Sequence, residues 1–237
     1  MKGTAFITGG AKRIGRAITL DLARLGYDII FQYNRSTNEV QNVSKCVKKM
    51  GRRCFHLECD FNNMKQVSLL IPRIFEMAPE CNLLVNNASI FERATLQETD
   101  YDLFDRHFNI NFKTPFFLAR DFAHYCSNGH IINILDTKIA RTSTYFFAYT
   151  LTKKALFEFT KMAAKELAPG IRVNGICPGL ILPPPGEDES YLIEQGKHVP
   201  LKQSGSLESI LSALRFLIEN HYITGESIMV DGGEHLL

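Results

Sequence analysis

Several features are absent from the 237-residue sequence, and each absence excludes a class of protein. No apolar run approaches the roughly 20 residues that a membrane-spanning helix needs, so we expect no membrane partner. The formal net charge is only +2, which gives no electrostatic reason to expect nucleic acid or an anionic surface as a partner. The first strand begins almost at the N-terminus and leaves no room for a signal peptide, so we expect a cytoplasmic protein.

The six cysteines and seven histidines lack the spacing of a metal site. No two cysteines form a Cys-x-x-Cys pair, and several of them lie in apolar runs. We therefore expect buried thiols in a reducing compartment, and we expect no metal site.

Strand and helix patterns alternate along the chain, and 45% of the residues are hydrophobic. This alternation predicts a parallel sheet covered by helices on both faces. The expected fold is a single doubly wound α/β domain of the Rossmann type over residues 1–237. The predicted strands are Thr4–Thr8, Asp28–Tyr33, Arg53–Glu58, Asn82–Val85, Ile131–Leu135, Arg172–Cys177 and Ser227–Val230.

Prolines predict where the regular elements are interrupted. Pro72 and Pro115 each lie inside a helical pattern, so we expect both helices to be short or irregular there. The stretch Pro183–Gly186 fits neither a regular helix nor a central strand and is predicted to be a loop. We expect residues 182–200 to form a substrate lid, although an acidic, solvated loop fits that segment almost as well.

A glycine-rich turn follows the first strand, with the sequence Thr8-Gly9-Gly10-Ala11-Lys12-Arg13-Ile14-Gly15. Glycines between a strand and a helix let the backbone approach a pyrophosphate, which then binds at the helix N-terminus. The spacing differs from Gly-x-Gly-x-x-Gly, so a simple tight turn is the alternative. Gly9, Arg13, Ile14 and Gly15 are therefore predicted to bind a nucleotide.

The second strand indicates which nucleotide to expect. It ends in Asn34-Arg35-Ser36, without the carboxylate that an NAD site uses to bind the ribose 2′-hydroxyl. Arg13 and Arg35, with the Ser36 hydroxyl, could instead hold a 2′-phosphate. We therefore expect NADPH as the cofactor, the alternative being two ordinary surface arginines.

The candidate active site lies between Gly129 and Ala155. Asp136 follows a buried strand at its carboxyl end, where open α/β sheets place their chemistry. Tyr149 and Lys153 are four residues apart in a helical pattern, so their side chains share one face and can reach a common ligand.

These motifs resemble the short-chain dehydrogenase/reductase family over essentially the whole chain. The shared motifs are Thr8-Gly9-x3-Arg13-x-Gly15, Asn86-Asn87-Ala88, Tyr149-x3-Lys153 and Pro178-Gly179. The resemblance implies a seven-stranded sheet of order 3-2-1-4-5-6-7, hydride transfer from a nicotinamide, and a homotetramer. It implies further cofactor-binding positions at Asp60, Phe61, Asn87, Ala88, Ser89, Pro178, Gly179 and Ile181.

The resemblance also implies the catalytic roles. Tyr149 would donate the proton, Lys153 would bind the nicotinamide ribose, and Asn111 would orient Lys153 through a water molecule. A free tyrosine has a pKa near 10, and we expect Lys153 and an oxidised nicotinamide to lower it. The alternative for Tyr149 is a helix tyrosine that only packs on the sheet.

Asp136 departs from the family pattern, which usually has a serine thirteen residues before the tyrosine. A carboxylate would repel a carbonyl oxygen that gains negative charge, whereas it suits a substrate with N–H donors. Within the family, this aspartate resembles the pteridine reductases and the dihydromonapterin reductases. That branch implies that Phe91 stacks on a flat pterin, and that Ser89, Asp136, Tyr149 and Leu182 contact it. Lys138 and Phe147 are further candidates for lining the pocket.

The sequence thus predicts NADPH-dependent reduction of a dihydropterin, such as dihydromonapterin, dihydrobiopterin or dihydrofolate. The small-molecule partner would be a pterin or folate. Two alternatives remain, namely a carbonyl or 3-oxoacyl reductase with an unusual aspartate and a non-catalytic NADPH-binding sensor. An intact Tyr149 and Lys153 disfavour the sensor, because a sensor needs no proton donor.

Overall fold

Seven parallel strands form one sheet in a computed structural model that describes residues 2–142, 144–184 and 186–237. Pro185, which belongs to the predicted proline loop, lies outside the described residues. The strands are β1 Thr4–Ile7, β2 Asp28–Tyr33, β3 Cys54–Glu58, β4 Cys81–Asn86, β5 Gly129–Ile134, β6 Ile171–Pro178 and β7 Ser227–Val230.

The strand order is β3-β2-β1-β4-β5-β6-β7, which confirms the predicted doubly wound topology. The order reverses between β1 and β4, which pair in parallel with Ile7 beside Val85. In such sheets the crevice at the reversal, beyond the carboxyl ends of the strands, is where ligands bind. The glycine-rich turn after β1 and the Asn-Asn-Ala segment after β4 therefore meet at this crevice.

Helices cover both faces of the sheet. One core packs β1 residues such as Ile7 against the first, second and last long helices, and the other packs Phe6 against helices on the opposite face. The helices are α1 Arg13–Arg24, α2 Thr37–Lys49, α3 Met64–Ser68, α4 Leu70–Met77, α5 Tyr101–Phe108, α6 Thr114–Tyr125, α7 Phe147–Leu167, α8 Glu189–Gly196 and α9 Leu207–Glu219.

The predicted helix interruptions are present, although their positions differ in detail. The first break falls at Leu69, between α3 and α4, while Pro72 sits in the first turn of α4. A proline is tolerated there because the first helical N–H groups have no intrahelical partner. The second irregularity is a π-helical turn, Asn109–Lys113, which ends two residues before Pro115.

Part of the segment predicted as a lid is helical. This helix was not predicted from the sequence, because the prolines just before it indicate a loop. Asp188 is the N-cap of α8, and its carboxylate accepts a hydrogen bond from the Ser190 N–H at 2.8 Å. An aspartate in this position satisfies a backbone donor that the helix itself leaves open. Among the described residues, no helix is long and apolar enough to span a membrane.

Candidate active site

A cleft of about 650 Å³ lies at the carboxyl ends of the strands, where the strand order reverses. Its walls come from the glycine-rich turn, the segments after β4, β5 and β6, the helix α8 and the C-terminus. The predicted site residues that line it are Gly9, Arg13, Ile14, Gly15, Asn87, Ala88, Ser89, Phe91, Asp136, Tyr149, Pro178, Gly179 and Leu182.

Two positions in the glycine-rich turn favour glycine, one because of its backbone conformation and the other because of close packing. Gly9 has a φ of +64°, a conformation that favours glycine. A Cβ atom on Gly15 would lie 2.2 Å from the Gly9 carbonyl oxygen, so Gly15 can carry no side chain. Thr8 fixes this turn to the segment after β4, because its hydroxyl accepts hydrogen bonds from the backbone N–H groups of Asn87 and Ala88, both at 2.9 Å.

The N-terminus of α1 borders the cleft and fits an anionic group. Its N-cap, Lys12, makes no side-chain cap hydrogen bond, so the first N–H groups of the helix remain available. Lys12 and Arg13 both line the cleft; Lys12 Nζ lies 2.9 Å from Glu39 Oε1, so Arg13 supplies most of the positive charge there. Helix N-terminal N–H groups together with basic side chains form a typical phosphate-binding arrangement.

Arg13 has an unusual backbone and an unexpected contact. Its φ is +50°, in the left-handed region that costs a non-glycine residue about 1–2 kcal/mol. Its guanidinium donates a hydrogen bond to the Pro183 carbonyl oxygen at 2.8 Å, which joins the glycine-rich turn to the segment predicted as lid. The predicted contact of Arg13 with a 2′-phosphate remains a prediction.

Five predicted cofactor residues near the end of β2 and β3 do not line the cleft itself. Asn34 and Arg35 are exposed beyond β2, and Ser36 precedes α2. Phe61 is buried, and the Asp60 carboxylate accepts hydrogen bonds from Asn62. Ile181 is also buried behind the cleft wall.

Asp136 and Tyr149 meet inside the cleft. The Tyr149 hydroxyl donates a hydrogen bond to Asp136 Oδ2 at 2.6 Å. The other carboxylate oxygen, Oδ1, accepts a hydrogen bond from the Lys138 backbone N–H at 2.8 Å, and Lys138 Nζ lies 3.8 Å from it. Both oxygens of the carboxylate are therefore held in place.

The expected lowering of the Tyr149 pKa is not found in this arrangement. Burial is the largest effect and raises the pKa of Tyr149 well above 10, and the neighbouring Asp136 carboxylate raises it further. The prediction considered the positive charge of Lys153 but not the negative charge of Asp136. Tyr149 is therefore held as the protonated phenol.

Lys153 lies behind Tyr149 rather than on the cleft surface. Its ammonium group donates a hydrogen bond to the Ile134 carbonyl oxygen at 2.8 Å and lies 5.7 Å from the Tyr149 ring centroid. Burial lowers the pKa of Lys153 to about 8.

Asn111 is fully buried in the π-helical turn, and its side chain contacts the segment after β4. Its Oδ1 accepts hydrogen bonds from the Ile90 N–H at 2.9 Å and from the Ser89 hydroxyl at 3.1 Å, and its Nδ2 donates to the Ile90 carbonyl at 3.0 Å. The side chain thus fixes the segment that leads to Phe91. Its predicted link to Lys153 through water stays a prediction.

Phe91 is paired with a residue that the sequence prediction missed. Its ring stacks on Phe146 at a centroid distance of 4.2 Å and an angle of 11°, and it meets the Tyr149 ring edge-on at 4.7 Å. Phe147, proposed to line the pocket, does not line the cleft, because it is the next residue along and begins α7. Lys138, the other residue proposed to line the pocket, does line the cleft.

Several further cleft residues were not predicted. On α8, Tyr191, Gln195 and the nearby His198 face the cleft at helical spacing. Asp188, an aspartate at the N-cap position, is a sequence signal that could have indicated the start of that helix. Other unpredicted residues come from the loop after β5 and from the C-terminus, which no local pattern brings together. They are Thr137, Arg141, Glu234 and Leu237.

The sheet order, the glycine-rich turn and the Tyr149–Lys153 helix define an oxidoreductase of the Rossmann type. A sequence profile described as enoyl-(acyl carrier protein) reductase matches residues 9–235. The chain belongs to the short-chain dehydrogenase/reductase family.

Solved structures and sequence relatives are similar over the whole chain. The FolM alternative dihydrofolate reductase 1 of Brucella canis, complexed with NADP, is 36% identical with a TM-score of 0.92, covering 99% of this chain and 95% of that one. The corresponding Brucella suis structure, also with NADP, is 35% identical with a TM-score of 0.93, covering 100% and 96%. The 3-oxoacyl-(acyl-carrier-protein) reductase FabG of Staphylococcus epidermidis is 29% identical over 247 residues, covering 100% of both chains.

Proposed function

We propose that this protein reduces a 7,8-dihydropterin to the tetrahydropterin with NADPH. The observation that carries the proposal is the Asp136 carboxylate, which occupies the position next to Tyr149 where a ketone reductase needs a neutral hydroxyl donor. A carboxylate accepts hydrogen bonds and repels a developing oxyanion, so it favours a substrate with N–H groups. The likeness to FolM dihydrofolate reductases supports the same class of substrate.

The cleft fits NADPH at its glycine-rich end. The uncapped N-terminus of α1, with Lys12 and Arg13, suits the phosphate groups, and the absence of a side chain at Gly15 allows close packing. When bound, NADPH supplies the hydride. The structures of the two FolM enzymes with NADP support this choice of cofactor.

The Asp136–Tyr149 pair supplies the proton. In the reaction a hydride reaches C6 of the dihydropterin, the electron pair of the C6=N5 bond moves to N5, and N5 takes up one proton. The raised pKa of Tyr149 keeps its proton available at neutral pH, and its hydrogen bond to Asp136 holds that proton beside the reacting bond. The open cleft then returns a proton from solvent.

Phe91 provides the platform for the flat pterin. The ring is about half exposed, and Phe146 supports it from one side. Offset stacking of aromatic rings contributes about 0.5–1.5 kcal/mol beyond the area they bury. We propose that residues 182–200, including α8, cover the bound substrate as a lid, because Leu182 and Tyr191 line the same cleft.

The direct test follows NADPH oxidation by the purified protein with dihydrobiopterin and with dihydromonapterin. Turnover of either pterin, abolished by Tyr149→Phe with NADPH binding retained, is the expected result. No turnover of pterins combined with rapid turnover of a ketone contradicts the proposal. NADPH binding without any activity that depends on Tyr149 would indicate a sensor instead.

A 3-oxoacyl reductase is the second candidate, because FabG matches this chain from end to end. Asp136→Ser separates the two functions. The substitution supplies the hydroxyl that carbonyl reduction needs, so it should raise the activity of a 3-oxoacyl reductase with an acetoacetyl thioester. It should strongly lower the activity of a pterin reductase.

A further inference from the structure

Two pairs of opposite charges line the cleft. The first lies within the loop after β5, and the second joins that loop to the C-terminal segment. In the first, Lys138 Nζ lies 3.8 Å from Asp136 Oδ1. In the second, Arg141 Nη1 lies 3.3 Å from Glu234 Oε1. All four residues line the cleft, but the proposed reaction uses only the first pair.

The C-terminal segment brings Glu234 into the cleft. Gly232 and Gly233 have φ values of +63° and +86°, which turn the chain back after β7. A Cβ atom on Gly179, another cleft residue, would lie 2.9 Å from Glu234 Oε2. The Arg141 guanidinium also donates to the Glu234 carbonyl oxygen, so both the backbone and the side chain of Glu234 are held.

The Glu234 carboxylate is partly buried at the edge of the cleft, and its two oxygens have different surroundings. Its side chain is 20% exposed, and burial is the largest effect that raises its pKa, against the charges of Lys138 and Arg141. Oε1 faces Arg141, whereas Oε2 accepts no hydrogen bond from residues 2–142, 144–184 or 186–237. A carboxylate oxygen beside the cleft can accept a hydrogen bond from a ligand that carries a donor.

We propose that Glu234 binds the substrate and accepts a hydrogen bond from a hydroxyl group on the side chain at C6 of the dihydropterin. This inference rests on the proposed function. C6 receives the hydride next to Asp136 and Tyr149, so its substituent starts at the first charged pair. Arg141 and Glu234 form the next pair along the same loop, and a carboxylate there selects a hydroxylated substituent over an unsubstituted methyl group.

The test compares two substrates that differ only in this substituent, dihydrobiopterin and 6-methyl-7,8-dihydropterin. In Glu234→Ala we expect the KM for dihydrobiopterin to rise about tenfold or more, since a hydrogen bond to a charged group is lost. The KM for the 6-methyl compound should change less than twofold, and NADPH affinity should stay unchanged. Glu219→Gln, an exposed carboxylate on α9, serves as the control and should alter neither KM.

Comparing the KM values for the two substrates distinguishes failure of this inference from failure of the proposed function. If the unmodified protein reduces neither pterin, the proposed function is wrong. If it reduces both and Glu234→Ala raises both KM values equally, Glu234 only anchors the C-terminus and the inference is overturned. Should the alanine variant lose its cooperative thermal transition, Glu234→Gln preserves the shape of the side chain. Its neutral amide oxygen accepts a weaker hydrogen bond than a carboxylate, so the KM for dihydrobiopterin should still rise relative to that for the 6-methyl compound, by a smaller factor.

Discussion

The Tyr149 hydroxyl donates a hydrogen bond to Asp136 Oδ2 at 2.6 Å, and this contact joins α7 to the end of β5. Burial and the Asp136 charge together raise the pKa of Tyr149, so Tyr149 keeps its proton beside the carboxylate. The negative charge of Asp136 therefore helps to keep Tyr149 protonated. Removing that charge while keeping the shape tests the proposed chemistry most directly.

Asp136→Asn should lower kcat for dihydropterin reduction about 10²–10⁴-fold, the range typical for loss of a general acid–base group. The amide oxygen can accept only one of the two hydrogen bonds that the carboxylate accepts, from the Tyr149 hydroxyl or from the Lys138 N–H. The change is confined to this site, so the fold and NADPH binding should be retained. Steady-state kinetics together with NADPH fluorescence titration measure both quantities. Asp102→Asn, an exposed change in α5, is the matched control. Full pterin activity in Asp136→Asn would rule out the proposed role.

Phe146→Ala should raise the KM for the pterin about two- to tenfold, because the Phe91 platform loses its stacking partner. The effect on kcat should be smaller, since the hydrogen bond between Tyr149 and Asp136 does not involve Phe146. Phe147→Ala removes a ring of the same size from the next residue, which does not line the cleft. Equal changes in pterin KM for both variants would mean that only general packing was lost.

Sequence patterns were sufficient to predict the sheet because each buried strand is a separate apolar run bounded by turn residues. They also placed Asp136, Tyr149 and Lys153 correctly at one edge of the sheet, since these positions follow from strand ends and helical spacing. The pKa of Tyr149 could not be predicted in the same way. It depends on burial and on the direction of the Asp136 side chain, and both are set by tertiary packing.

Contacts between distant segments limited the prediction of the remaining site. Arg141 meets Glu234 across 93 residues, and Arg13 meets Pro183 across 170 residues. No local periodicity encodes such pairs. Phe146 and Phe147 show a related limit, because adjacent residues at a helix start point in different directions and only the structure decides which ring meets Phe91.

His130 should make the fold sensitive to acid. Burial, followed by the charge of Arg172, lowers the pKa of His130 from 6.5 to about 3. Between pH 6.5 and 3 the unfolded chain therefore binds a proton that the folded chain does not, so stability falls as the pH decreases. The contribution changes by about 1.4 kcal/mol per pH unit within this window.

His130→Asn removes that titration and should flatten the decline of unfolding free energy below pH 6.5, even if the variant is less stable overall. Urea unfolding at pH 6.5, 5.5 and 4.5 gives the slope. The control is His124→Gln, an exposed histidine on α6 whose removal should leave the slope as it is. An unchanged slope in His130→Asn would show that other groups cause the acid sensitivity.

Arg13→Gly should change stability and cofactor affinity in opposite directions. Glycine adopts the left-handed backbone of Arg13 without the usual cost, so relief of about 1 kcal/mol should raise Tm by about 2–4 °C. The variant also loses the guanidinium, and with it a charge-assisted contact to NADPH, so the KM for NADPH should rise about tenfold or more. The KM for NADH, which lacks the 2′-phosphate, should change much less.

Lys202 provides the matched control, because its φ of +58° places it in the same left-handed region and it does not line the cleft. Lys202→Gly should therefore raise Tm to a similar extent and leave the KM for NADPH unchanged. Thermal unfolding and steady-state kinetics on both variants separate the backbone effect from the charge effect. If Arg13→Gly raises Tm but preserves the preference for NADPH over NADH, Arg35 and Ser36 account for that preference, and the strained backbone of Arg13 serves its contact with Pro183 instead.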